Sequence, residues 1–191
     1  MDKLEVPVYL ITGFLESGKT SFLQEIFESG EFADGERGLL ISCEEGEVEL
    51  DEKATLACKI DTVTLDEEEE LTADFLENCK NVYKPKRVFV EYNGMWNNGA
   101  LFQALPEDWL LVQEFCFMDA QTILSYNANM RALVVDKLQT AEMVIFNRVP
   151  LDAEVLPYHK LVRGISRRAE IVYERVGGQV EPDQIEDPLP F

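Results

Sequence analysis

Apolar positions follow two rhythms that alternate along the chain. Nearly continuous runs at 6–12 (VPVYLIT), 37–42 (RGLLIS), 86–92 (KRVFVEY), 109–119 (WLLVQEFCFMD), 141–147 (AEMVIFN) and 170–175 (EIVYER) read as buried strands. The run at 58–65 (CKIDTVTL) is a weaker strand candidate. Between these runs, apolar residues recur every three or four positions. In 19–29 (KTSFLQEIFES), Phe22, Leu23, Ile26 and Phe27 fall on one helical face, and Gly30 supplies a stop. Helical spacing also marks 66–80, 99–105, 123–140 and 156–169. In 66–80, Asp66 should cap the helix and Glu69 complete a capping box. The glutamate run at 67–70 then suits a helix start, where the helix dipole favours acidic groups. Strands that are apolar throughout are buried on both faces, and helices between them supply the cover. The pattern predicts an α/β fold with a mostly parallel central sheet in three layers. It spans residues 1–176. The remainder, 177–191, is acidic and proline-rich and is expected to be a linker or a loosely held tail.

Composition narrows the function classes. The chain has 191 residues and 46% hydrophobic content, which suits one domain with a full core. Seventeen basic against 37 acidic residues give a net charge of −20, which sets the chain against nucleic acid and anionic membrane surfaces. A phosphate ligand would therefore need a strong local site. No apolar run approaches the roughly 18 residues needed to cross a bilayer. The start, MDKLEV, has no apolar signal region, so a cytoplasmic protein is expected. Cysteines at 43, 58, 79 and 116 form no C-x-x-C pair and are expected to be free thiols. His159 is the single histidine, expected to be an ordinary surface or helix residue, which argues against serine-type triads and histidine-rich metal sites.

The candidate chemistry lies in GFLESGKT, residues 13–20, whose spacing is G-x-x-x-x-G-K-T. It follows a predicted strand and opens a predicted helix, the context in which backbone N–H groups and a helix N-terminus cradle phosphates. Gly13 allows the turn out of the strand, and Gly18 lets the backbone approach the phosphates. Lys19 would reach the β- and γ-phosphates, and Thr20 would offer its hydroxyl to Mg²⁺. Phe14, Leu15, Glu16, Ser17 and Ser21 complete the cradle. Glu16 puts a carboxylate beside a polyanion site, so its side chain should point away, toward an arginine. A second element must supply an acid for the magnesium shell and a glycine amide for the γ-phosphate. VFVEYNG does this, with Glu91 at a strand end and Gly94 at [DE]-x-x-G spacing. Between the two, CEEGEVELD at 43–51 leaves the second strand where a switch loop would sit, making Glu44, Glu47 and Asp51 candidate cation contacts.

Taken in order, these motifs resemble the GTPase domain of CobW-type proteins, relatives of the GTPases that insert nickel during urease and hydrogenase maturation. The family's T-G-F-L-G-[AS]-G-K-T-T corresponds to TGFLESGKT. Its N-E-x-G-E-V-x-x-D loop corresponds to CEEGEVELD, and its E-[ST]-[ST]-G to EYNG. A strand ending in D-A is matched by Asp119 and Ala120. A-D-x-x-x-x-N-K-x-D-L is matched by AEMVIFNRVPL. The resemblance covers roughly residues 6–175. It implies a three-layer P-loop NTPase (Rossmann-like) that binds GTP or GDP with Mg²⁺. Lys19, Thr20 and Glu91 would take the catalytic roles, with Thr20, Glu91, Glu44 and Glu47 near metal. It also implies a slow GTPase acting as a metal-handling or maturation-factor-like switch, with a protein client or metal-dependent partner, and pairing of two copies across the nucleotide face.

Three departures qualify this. The family's C-x-C-C metal motif is absent, since only Cys58 and Cys79 lie in that interval, so a transition metal would depend on Glu44 and Glu47 with Cys43 or Cys58. N-K-x-D has become Asn147, Arg148, Val149 and Pro150, which removes the carboxylate that reads guanine. Losing such a charge-assisted pair costs about 1.5–3 kcal/mol. Asn147 is left to contact the base or brace the loop. The C-terminal domain usual in the family has no counterpart in the sequence. The alternative to an active GTPase is a binding-only module that serves as a scaffold, and adenine in place of guanine remains open.

Overall fold

The computed structural model describes residues 5–44 and 50–186. Its centre is an eight-stranded sheet made of β1 (Val6–Gly13), β2 (Gly38–Ser42), β3 (Ile60–Thr64), β4 (Arg87–Glu91), β5 (Trp109–Asp119), β6 (Met143–Val149), β7 (Glu170–Arg175) and β8 (Val180–Pro182). The order across the sheet is β3-β2-β4-β1-β5-β6-β7-β8. Every pairing is parallel except β7 with β8. The connecting helices are α1 (Lys19–Ser29), α2 (Glu52–Ala57), α3 (Ala73–Tyr83), α4 (Asn98–Ala104), α5 (Ile123–Asn129), α6 (Arg131–Thr140) and α7 (Leu156–Arg163).

Handedness explains the layering. Parallel crossovers are right-handed because twisted strands and right-handed helices pack back onto the sheet only that way. From β1 the chain steps outward to β2 and β3, which places α1 and α2 on one face. There Leu23, Phe27, Ala54 and Cys58 pack on Ile11, Leu40, Phe89 and Phe117. The chain then returns through β4 and runs outward the other way, which places the remaining helices on the opposite face. α3 and α4 cover Val8, Leu10, Leu39, Val88 and Val90. α5, α6 and α7 cover Cys116, Met118, Val144, Phe146, Ile171 and Tyr173. Two-sided cover is why β4 is buried along its whole length.

Several elements differ from the sequence reading. The stretch 66–80 is not one helix. A 3₁₀ turn (Glu68–Glu70) carries its own capping box between Glu67 and Glu70, and α3 starts afresh with Thr72 accepting from the Phe75 amide at 3.1 Å. The caps are therefore Glu67 and Thr72 rather than Asp66, and Glu70 rather than Glu69. Helix 123–140 is divided at Met130 into α5 and α6. α2 has no counterpart in the pattern because it is only one and a half turns long, but Asp51 caps it through the Lys53 amide at 2.8 Å. The sheet also runs past residue 176. β8 pairs with β7, and Asp183 accepts from the Tyr173 hydroxyl at 3.0 Å and meets His159 Nδ1 at 2.7 Å. His159, expected at the surface or on a helix, is on α7 and buried. All four cysteines are free and buried. Among the described residues no helix is long and apolar enough to cross a membrane.

Candidate functional site

Strand order places the site. β1 lies between β4 and β5, and the chain leaves it toward β2 on one side while later strands build outward on the other. The carboxyl end of β1 is thus the switch point of the sheet, where open α/β folds bind ligands. The loop 13–18 emerges there and turns into α1. Gly18 is the helix N-cap at φ +96°, with no side chain capping the helix, and no acidic residue in the first turn. The helix therefore presents uncapped N–H groups and its positive dipole end at this point. A side chain at Gly18 would be strained by that φ, and its Cβ would stand 2.5 Å from Asn147 Nδ2.

Lys19 is almost fully buried. Its ammonium donates to the carbonyls of Gly13 and Phe14, each at 2.8 Å, and pairs with Glu44 at 2.7 Å. The loop thus wraps its own lysine. Glu44, read from sequence as a cation contact, meets the cation of Lys19. Burial pushes its carboxyl above the usual range. Lys19 opposes that shift, and nearby Glu91 adds to it. Glu47 lies outside the described residues. Asp51 caps α2, and its amide donates to Gln24 at 2.8 Å.

Thr20 and Glu91 come together as the sequence requires. Thr20 Oγ1 donates to Glu91 Oε1 at 2.5 Å. Ser42 Oγ donates to the other carboxylate oxygen at 2.8 Å. Strand register explains the second contact, because Ser42 and Glu91 are direct neighbours at the ends of β2 and β4. Sequence reading missed Ser42, although its place at the end of the second strand was the available signal. Two hydroxyls around one buried carboxylate form a hard oxygen set, which fits Mg²⁺. By contrast, among the described residues no three His, Cys, Asp or Glu side chains converge as metal ligands. Burial, with help from Glu91 and Glu44, pushes the Cys43 thiol up to about 12, which disfavours the thiolate a soft metal needs.

Gly94 packs directly on the loop. A Cβ there would lie 2.5 Å from the Gly13 carbonyl oxygen and 2.6 Å from Phe14 Cα. The segment that follows is pinned from behind. Tyr92 donates to the Asn97 carbonyl at 2.7 Å, and Asp136 accepts from the Asn98 amide at 3.0 Å. The fully buried Lys137 reaches the Trp96 carbonyl and Asn98 Oδ1. Asn98 and Thr140 in turn donate to buried Glu114, at 3.1 and 2.9 Å. Burial pushes the Glu114 carboxyl up to about 7; the Thr140 hydrogen bond and Lys137 counter that, and Glu142 and Asp136 add to it.

The remaining predicted residues divide clearly. Asn147 braces the loop: its Nδ2 donates to the Ser17 carbonyl at 2.5 Å. Arg148, in the left-handed region at φ +53°, donates to the Glu16 carbonyl and pairs with Asp119 at 3.2 Å. An arginine does meet Glu16, then, but through the backbone, while the Glu16 side chain is exposed. Phe14 turns inward and stacks on Tyr126 with ring centres 4.3 Å apart, and Leu15 is exposed. Ser21 is exposed on α1. The Ser17 hydroxyl and Asn147 Oδ1 are buried at the loop without a hydrogen-bond partner among the described residues. Pro150 offers only its carbonyl, which accepts from Arg175 at 2.8 Å.

The fold and this loop agree with comparison to known proteins. Curated protein sequences give no match. Among solved structures, the hydrogenase maturation factor HypB from Archaeoglobus fulgidus superposes with a TM-score of 0.57 at 12% identity. The match covers 92% of this chain and 84% of HypB. The signal recognition particle receptor FtsY from Elizabethkingia anophelis superposes with a TM-score of 0.54 at 11% identity, over 90% of this chain and 59% of FtsY. At such identities the likeness speaks for the fold, that of P-loop NTPases. The model of the CobW/HypB/UreG nucleotide-binding domain matches residues 7–173, and the chain belongs to that family.

Proposed function

We propose that this chain binds a nucleoside di- or triphosphate with Mg²⁺ at the 13–20 loop and hydrolyses the triphosphate slowly, as a GTPase-type switch. The observation that carries this is the convergence, at the end of the central strand, of Lys19 with the Thr20–Glu91–Ser42 oxygen cluster and with Gly94 against the loop. When bound, Mg²⁺ would supply charge neutralisation between the phosphates. Thr20 and Glu91 would hold it, and Ser42 would orient Glu91. Lys19 and the uncapped start of α1 would hold the phosphate oxygens. No glutamine is placed to orient water in the sequence motifs, which supports slow turnover.

Base choice rests on less. Asn147 and Arg148 each donate to a loop carbonyl, and Pro150 has no acceptor side chain. These features support weak discrimination between guanine and adenine. They also support a second reading, a module that binds nucleotide without hydrolysing it. Family membership supports a role beside a client protein; HypB is named as a hydrogenase maturation factor.

The test is calorimetric titration with GDP, GTP, ADP and ATP, with and without Mg²⁺, on the native chain and on Lys19→Ala. Mg²⁺-dependent binding that weakens by about ten- to a hundredfold in the variant, the size expected for loss of a charge-assisted contact, would support the site. Unchanged affinity in the variant would remove the loop from consideration. Phosphate release from GTP at a measurable rate then separates the hydrolase from the binding-only module.

A further inference from the structure

An ammonium group has three N–H donors. Those of Lys19 face three acceptors: the carbonyls of Gly13 and Phe14 at 2.8 Å and the Glu44 carboxylate at 2.7 Å. Both side chains are shielded, at 1% and 7% exposure, so salt and water weaken the pair little. An arriving phosphate needs a donor from Lys19, and the lysine has none to spare. The two carbonyls belong to the loop backbone and leave only if the loop unfolds. The Glu44 carboxylate, by contrast, reaches Lys19 on a side chain just beyond β2, which rotation about its χ angles alone would carry away. It also carries the same sign of charge as the ligand, so the two cannot share Lys19 without mutual repulsion.

We infer that Glu44 is a built-in competitor at the phosphate site: its carboxylate holds Lys19 until the β- or γ-phosphate of a nucleotide replaces it. This rests on the nucleotide-binding reading above. The competitor lowers the affinity of every ligand that uses Lys19, and it retakes the lysine as the ligand departs, which favours spontaneous exchange. A carboxylate that merely neutralised a buried lysine would behave differently. Its removal would cost stability and weaken ligand binding together.

Glu44→Gln in the full chain separates these. Titration with GMP, GDP and GTP should show GDP and GTP binding about tenfold tighter than to the native chain, while GMP, which has no phosphate in reach of Lys19, is unchanged. The variant without ligand should melt earlier. Glu44→Asp keeps the charge but shortens the reach, and should give a smaller gain in the same direction; it serves if the glutamine variant does not fold. Equal or weaker binding of GDP and GTP by the variants, with the native chain binding normally, would overturn the competitor role. If neither the native chain nor either variant binds any of the three, the nucleotide-binding reading itself fails, and this inference with it.

Discussion

Side chains at the loop act less as individual ligands than as fasteners. Asn147 is the clearest case: its side-chain amide spans 130 residues of sequence to hold the Ser17 carbonyl. Asn147→Ala should therefore lower stability by about 1–2 kcal/mol and loosen nucleotide binding without altering base preference, which denaturation and titration would show together. Gly94→Ala tests close approach. A methyl 2.5 Å from the Gly13 oxygen has no room, and the backbone there cannot yield cheaply. The variant should lose about 1–3 kcal/mol and bind nucleotide poorly even if it folds. Lys19, Thr20, Glu91, Gly94 and Asn147 were all legible from motif spacing. Ser42 and Arg148 were not, because their roles follow from strand register and from an unusual backbone angle. Neither leaves a trace in hydrophobic rhythm. The salt bridge from Glu44 to Lys19 was equally hidden, since the sequence shows an acidic loop and not what it leans on.

At the scale of elements, the sequence rhythm located β1 to β7 and most helices, because most of these strands are apolar runs; β3, with alternating burial, was the weakest signal. It failed where an element is short or locally capped. α2, the 3₁₀ turn at 68–70 and β8 span only six, three and three residues, too few to show a period. The tie from β8 to the body is testable. Asp183→Ala removes the acceptor of two buried partners, Tyr173 and His159, and should cost about 1–3 kcal/mol in chemical denaturation. The polar seam joining α4, α6 and β5 makes a pH prediction. Glu114 titrates near 7 in the fold, above its unfolded value, so the folded state binds the extra proton. That contribution is fully present at low pH and is lost as pH rises toward and through about 7. Glu114→Gln should flatten the fall in stability across that window, by a difference on the order of 1–3 kcal/mol between its ends. A native-like slope in the variant would place the titration elsewhere.

For the whole molecule, the charge of −20 surrounds a site built for an anion. Attraction at Lys19 is local and shielded, whereas repulsion from the surface is long-range and screened by salt. Raising ionic strength from about 10 mM to about 150 mM should thus speed nucleotide association severalfold, the reverse of an ordinary cation–anion encounter. Stopped-flow rates across a salt series would show the sign. Sequence charge made this legible, but the order of strands did not appear in it. That order carries a consequence for synthesis. The loop leaves the ribosome early, yet Glu91 stands 71 residues after Thr20 and Asn147 stands 130 after Ser17. The strands flanking β1 are likewise distant in sequence. A nascent chain halted before residue 87 holds the whole phosphate motif but lacks Glu91, Gly94, Asn147 and Arg148. The emerging loop would therefore lack its braces until β6 has been made, long after its own residues have left the ribosome.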